Sequence, residues 1–180
     1  MRFEDAIWGA GYVTGGTWLG TTLHVGGTEI GAIAGTTAIG AMISPLFVGL
    51  LADRLFDTRR VLVALHVIGA VLLVVASRQS SFAILYTTLL VYSLCYMPTL
   101  ALTTSLAMRH IHDPQEEFGG IRVFGTIGWI VVGLLVGALG VEATASPLLL
   151  AAGLSIVMAA YCFTLPATPK RAAELKIVPW

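Results

Sequence analysis

Charge is what this sequence has least of. Only 11% of its 180 residues are Asp, Glu, Lys or Arg, where a soluble domain carries about 25%. Ten basic residues cancel ten acidic ones. A neutral chain without a basic run lacks the electrostatic footprint of a nucleic-acid binder. Cysteine is scarce as well. Cys95 and Cys162 stand in separate apolar stretches without metal-ligand spacing, and read as core thiols rather than a disulfide or a metal site. No nucleophile–base pair, metal cluster or phosphate loop stands out, and Gly-x-Gly spacings fall inside apolar runs, so neither an enzyme nor a cofactor is expected. Glu4 and Asp5 follow Arg2 directly, which argues against a cleaved signal peptide.

Hydrophobicity fills the space that charge leaves. The chain is 57% hydrophobic with a mean hydropathy of +0.88. Charged residues divide it into six apolar windows, near Ala6–Val25, Ile30–Leu51, Val61–Ala76, Phe82–Met108, Val123–Val141 and Thr144–Leu165. A helix needs about 20 residues to cross a bilayer. Five windows meet that and the third reaches it with its flanks. A transmembrane barrel needs alternating strands of about ten residues, whereas these windows are apolar on every face. The expectation is an all-α membrane protein, a bundle of six transmembrane helices over residues 1–166. Pro98 predicts tilt or a kink in the fourth.

Lysine and arginine orient the bundle. Arg2, Arg54, Arg59, Arg60, Arg109, Arg122, Lys170, Arg171 and Lys176 fall on one side, and Arg78 alone on the other. By the positive-inside rule both termini are cytoplasmic. Short outer loops predict that consecutive helices are antiparallel neighbours. Glycines spaced four apart, at Gly11/Gly15, Gly16/Gly20, Gly27/Gly31, Gly31/Gly35 and Gly133/Gly137, predict close backbone approach within the bundle.

Few polar groups interrupt the windows, so each is informative. Arg122 stands at the mouth of a stretch that stays apolar almost to Gly140. A cation there is costly, and an intramembrane arginine is a functional-site hypothesis by default. Arg122, Thr126 and Trp129 are spaced i, i+4, i+7 and share one helical face. A guanidinium, a hydroxyl and an aromatic ring facing one way suit a polar, ring-containing solute. Tyr12, Thr14, Thr17 and Trp18 are further cavity candidates on the first helix. His66 reads as a packed hydrogen-bonding residue rather than a proton relay. His110 and His112 read as solvated linker rather than metal ligands. Glu29 and Glu142 read as solvated helix ends, and Glu4 and Asp5 as first-turn partners of a helix dipole.

Six helices with a charged loop after the second resemble one half of a major facilitator superfamily transporter. The loop reads Gly49-Leu50-Leu51-Ala52-Asp53-Arg54, then Arg59-Arg60, and the resemblance makes Gly49, Asp53 and Arg54 a gating latch. Three blocks are similar to the nucleoside:proton symporter family within that superfamily. They are Ile7-Trp8-Gly9 with Glu29-Ile30-Gly31-Ala32, then Cys95-Tyr96-Met97-Pro98-Thr99, and Ile121-Arg122-Val123-Phe124-Gly125-Thr126-Ile127-Gly128-Trp129. The resemblance assigns Arg122, Thr126 and Trp129 to the nucleoside cavity. It implies alternating access driven by protons, in a bacterial inner membrane or plasma membrane, with lipid around the bundle. A second six-helix half is expected as partner, and residues 167–180 as the start of a cytoplasmic linker to it, which makes this chain the N-terminal half. The alternatives are a half-transporter for another small solute, such as a sugar, and a non-transporting membrane scaffold.

Overall fold

The computed structural model describes residues 2–51, 57–109, 111 and 113–165. They form six helices: α1 (Arg2–Thr21), α2 (Gly27–Leu51), α3 (Thr58–Ala76), α4 (Phe82–Met108), α5 (Pro114–Ala138) and α6 (Ser146–Cys162). There is no strand among the described residues. Four segments are long and apolar enough to cross a membrane: Gly27–Leu46, Thr58–Ala76, Phe82–Met108 and Glu117–Ala138. The other two helices fall short for local reasons. Glycines, threonines, Arg2, Glu4 and Asp5 dilute α1, and α6 has 17 residues.

Local signals fix several helix ends. The Asp57 side chain caps α3 by accepting the Arg59 N–H at 3.2 Å, which satisfies one of the four orphan donors of a helix start. Gly140, at φ +63°, ends α5. The Gly140 N–H bonds the Gly137 carbonyl and the Val141 N–H bonds the Val136 carbonyl, the paired bonds of a left-handed glycine cap. Pro98 is buried in α4, which runs helical from Phe82 to Met108 on both sides of it.

The helices pack as a ring, α1–α6–α3–α4–α2 and back to α1, with α5 packed on α1 and touching α4. Of the pairs joined by short outer loops, α3 and α4 pack extensively as expected, α1 and α2 touch only slightly, and α5 and α6 do not pair. Short loops limit how far a helix end can travel, but not which flank the rest of the helix presents. The expected glycine contacts also differ. An added Cβ would find open space at Gly15, Gly27, Gly31, Gly35 and Gly133. The close approaches occur at two glycines outside those pairs. A Cβ on Gly9 would lie 2.6 Å from the Trp129 carbonyl oxygen, and one on Gly40 2.7 Å from that of Ser93. These mark where α1 crosses α5 and where α2 crosses α4.

The core inside the ring joins Ile7 and Ala10 of α1, Leu62 and Leu73 of α3, Leu102 of α4 and Ala151 of α6. The outer surface is apolar as well. Leu134 is 68% exposed and Met42 80%, an inside-out pattern costly in water and natural in lipid.

Candidate functional site

α5 buries one narrow stripe, with Gly125 and Val136 fully packed, and leaves most of its length uncovered. Arg122, Thr126 and Trp129 lie together on the uncovered side, all three exposed. Arg122 is the ninth residue of α5, about 12 Å along the helix at 1.5 Å per residue. It therefore sits inside the span Glu117–Ala138 rather than in the preceding loop. The Thr126 hydroxyl donates back to the Arg122 carbonyl at 3.3 Å. Trp129 is held by the α1 crossing, with its backbone against Gly9. Arg122 is also close enough for its charge to act on Asp5 of α1.

A cavity of about 280 Å³ opens between α1, α2 and α4, near the lower end of the roughly 300–1,000 Å³ of small-molecule sites. Aromatic rings form its wall. Tyr12 meets Trp8 edge-on at 5.7 Å, Trp8 meets Tyr96 edge-on at 6.4 Å, and Tyr96 stacks on Tyr92 at 5.5 Å. Thr36 and Ser93 add a hydroxyl pair 3.2 Å apart that joins α2 to α4. Of the cavity candidates on α1, Tyr12 and Trp18 line it. Thr14 is buried with its hydroxyl donated to the Ala10 carbonyl, and the Thr17 carbonyl accepts the Thr21 hydroxyl. Arg122, Thr126 and Trp129 are outside this lining. Trp8 and Tyr12 line the cavity, and Gly9, between them in sequence, is the α1 residue set against Trp129. Trp8 and Tyr96 stand in the blocks of resemblance without a cavity role and Tyr92 in none of them, although aromatic spacing of four in Tyr92/Tyr96 and Trp8/Tyr12 signals a shared face.

The first turn of α1 departs most from expectation. Glu4 lies in the first turn, as expected of a dipole partner, but it is 1% exposed. Its carboxylate accepts the Thr99 hydroxyl, and its backbone carbonyl accepts the Tyr96 hydroxyl at 2.6 Å. Its second oxygen, Oε2, faces His66 Nε2 at 3.3 Å. Neither of those two atoms has a well-aligned hydrogen bond among the described residues. His66 is thus packed, as expected, but against a carboxylate. The reason is depth. The first turn of α1 meets α4 at Thr99, nine residues before that helix ends, about 13 Å along it.

Of the loop residues assigned by resemblance, Gly49 lies in the last turn of α2, while Asp53 and Arg54 lie outside the described residues. So do His110, His112 and the segment 167–180. Glu29 is exposed at the start of α2 and accepts the Gly26 N–H, and Glu142 is half-buried beyond the end of α5. No group of three His, Cys, Asp or Glu side chains able to hold a metal occurs among the described residues.

Comparison with known proteins places this arrangement. YegT of Escherichia coli (strain K12) is 42% identical over 178 residues, which cover 95% of this chain and 42% of YegT. The xanthosine permease of the same organism is 34% identical over 167 residues, 91% of this chain and 40% of the permease. The crystal structure of the nucleoside transporter NupG superposes with a TM-score of 0.90 at 28% identity, covering 99% of this chain and 45% of NupG. The chain thus spans less than half the length of the proteins it matches. The family profile described as nucleoside H+ symporter matches residues 1–178, and the chain belongs to that family.

Proposed function

We propose that this chain forms one six-helix half of a proton-coupled nucleoside transporter working by alternating access. The observation that carries the reading is the close superposition on NupG together with the family match over residues 1–178. Substrate sites in such folds lie near the bilayer midplane between two bundles. Here the uncovered side of α5, with Arg122, Thr126 and Trp129, and the aromatic wall of Trp8 and Tyr12 supply one side of such a site. The guanidinium offers a planar fork of donors to ribose or base oxygens. The rings offer stacking faces to the base. A second bundle supplies the opposite side.

All six helices span the membrane in this reading, α1 and α6 with the help of their flanks. The basic residues support cytoplasmic termini. With Arg122 set aside because it lies inside α5, eight cations remain on one side, and Arg78 stands alone on the other. Gly49, Asp53 and Arg54 act at the cytoplasmic end as a latch between the halves. The membrane is the bacterial inner membrane.

The test is transport by the full-length protein that carries this chain, purified into proteoliposomes. Labelled uridine or adenosine should exchange across the membrane and accumulate when an inward proton gradient is imposed. Competition by nucleosides but not by sugars supports the assignment. Uptake of a sugar with no competition by nucleosides overturns it in favour of a different solute.

A further inference from the structure

The buried acid–imidazole contact at the start of α1 has no place in the substrate site. We propose that Glu4 and His66 form a proton-binding site of this bundle, in which one proton held between carboxylate and imidazole ties α1 to α3 and α4. The geometry carries it. Both side chains are about 1% exposed, Oε2 and Nε2 face each other at 3.3 Å, and neither atom has another partner among the described residues. Two buried polar atoms left facing each other call for something between them, and a shared proton fits there. With it, the pair is neutral overall, either as acid and imidazole or as carboxylate and imidazolium. Without it, a carboxylate remains inside the bundle with a neutral imidazole and one hydroxyl donor, Thr99. A buried charge without a counter-ion disfavours the packed arrangement, so loss of the proton favours opening of α1 from α3 and α4 at this end.

The other titratable and charged groups around the pair are few. Tyr92 and Tyr96 on α4 and Cys162 on α6 lie within the field of Glu4. Asp5 neighbours it on α1, and Arg122 of α5 acts on Asp5. His66 is the basic group at ion-pair distance. Position gives the pair a consequence. Trp8 is one turn beyond Glu4, and Tyr96, whose hydroxyl holds the Glu4 carbonyl, lines the cavity edge-on to Trp8. Motion of the first turn of α1 therefore moves the cavity lining. Gain and loss of the proton at the pair form and break only O–H and N–H bonds.

The transport readout rests on the nucleoside reading above, so the experiment has two independent arms. In proteoliposomes of the full-length protein, one proton coupled per solute supports about tenfold accumulation per pH unit of gradient. Glu4→Gln places an amide where the protonated acid stood. It should keep nucleoside counterflow, which needs no gradient, and lose the tenfold accumulation. His66→Gln should lose it as well. In the second arm, nitrogen-15 NMR of histidine-labelled protein in detergent follows His66, assigned by its absence from His66→Gln. Its signal should titrate with pH in the wild type and titrate differently in Glu4→Gln. Wild-type accumulation by Glu4→Gln overturns the proposal. So does a His66 signal that does not respond to pH in the wild type, a result that needs no variant to fold other than the one used for assignment. Failure of wild-type counterflow overturns the nucleoside reading, and the NMR arm still decides the proton site.

Discussion

Gly40 and Gly31 lie on the same helix, and alanine substitution at each separates packing from helix propensity. Both replacements add the same methyl group, so the intrinsic preference of alanine over glycine, about 1 kcal/mol in water, cancels between them. At Gly31 the new Cβ meets nothing within 4 Å. At Gly40 it meets the Ser93 carbonyl oxygen at 2.7 Å, the Ser93 carbonyl carbon at 2.9 Å and Met97 Cγ at 3.1 Å. The methionine can rotate away, but the backbone of α4 cannot. Relief requires α2 and α4 to separate by several tenths of an ångström along their contact, which also stretches the Thr36–Ser93 hydroxyl pair. Overpacking of a close contact costs about 1–3 kcal/mol. Gly40→Ala should therefore be less stable than Gly31→Ala by that amount, roughly a 5- to 150-fold difference in the folding equilibrium. The assay is reversible unfolding in mixed micelles, read by tryptophan fluorescence or by protection of Cys162, which is buried. Equal stability of the two variants would falsify the assignment of Gly40 as the α2–α4 crossing.

Four shorter predictions follow from other contacts. Arg122→Ala should abolish nucleoside uptake by the full-length protein without loss of membrane insertion, and Arg122→Lys should do nearly the same because lysine keeps the charge but not the planar fork; normal uptake by the alanine variant removes the residue from the site. In a background without Cys95 and Cys162, a membrane-impermeant thiol reagent applied to intact cells should label a cysteine at Ser80 and spare one at Glu117, and the reverse pattern inverts the topology. Ser93→Ala should cost only about 0.6 kcal/mol, an average interhelical side-chain hydrogen bond in a membrane protein, because the Thr36 hydroxyl keeps its bond to the Ile33 carbonyl at 2.7 Å; a loss well above 2 kcal/mol in the same unfolding assay contradicts that. Residues 1–180 alone, reconstituted under a proton gradient, should not concentrate nucleosides, since one bundle offers one side of a site and nothing to rock against; concentrative uptake by this chain alone refutes the two-bundle mechanism.

The helices were legible because the chain spends its few charges at their ends. Asp57, Arg59 and Arg60 mark the start of α3, and Arg78 follows its end, so most windows read from sequence fall close to the observed helices; the fifth, cut at Arg122, misses the first nine residues of α5. Helix pairing was not legible. An apolar helix in lipid shows no polar face to say which side is outward, and α2 and α4 are apolar all round. Spacing of glycines did not supply the missing information. Gly31 belongs to two spaced pairs and faces open space, while Gly9 and Gly40 belong to none of those pairs and sit at the crossings. A glycine permits close approach, but what stands opposite decides whether the approach occurs.

Glu4 shows the same limit in the chemistry of the site. From sequence, Glu4 is a first-turn partner of the helix dipole, and that reading says nothing of what the turn packs against. Sequence gives the length of each helix but not its offset from the others. Part of what Glu4 meets was visible. Tyr96, Thr99 and Thr103 repeat at spacings of three and four, all buried; the two threonines bond back to carbonyls of their own helix, but a buried tyrosine hydroxyl cannot and needs a polar neighbour. His66 was a second such residue, in α3. Each of these groups alone has an ordinary structural explanation. Together they line one buried space on α3 and α4, and Glu4 is the acid that α1 brings to it.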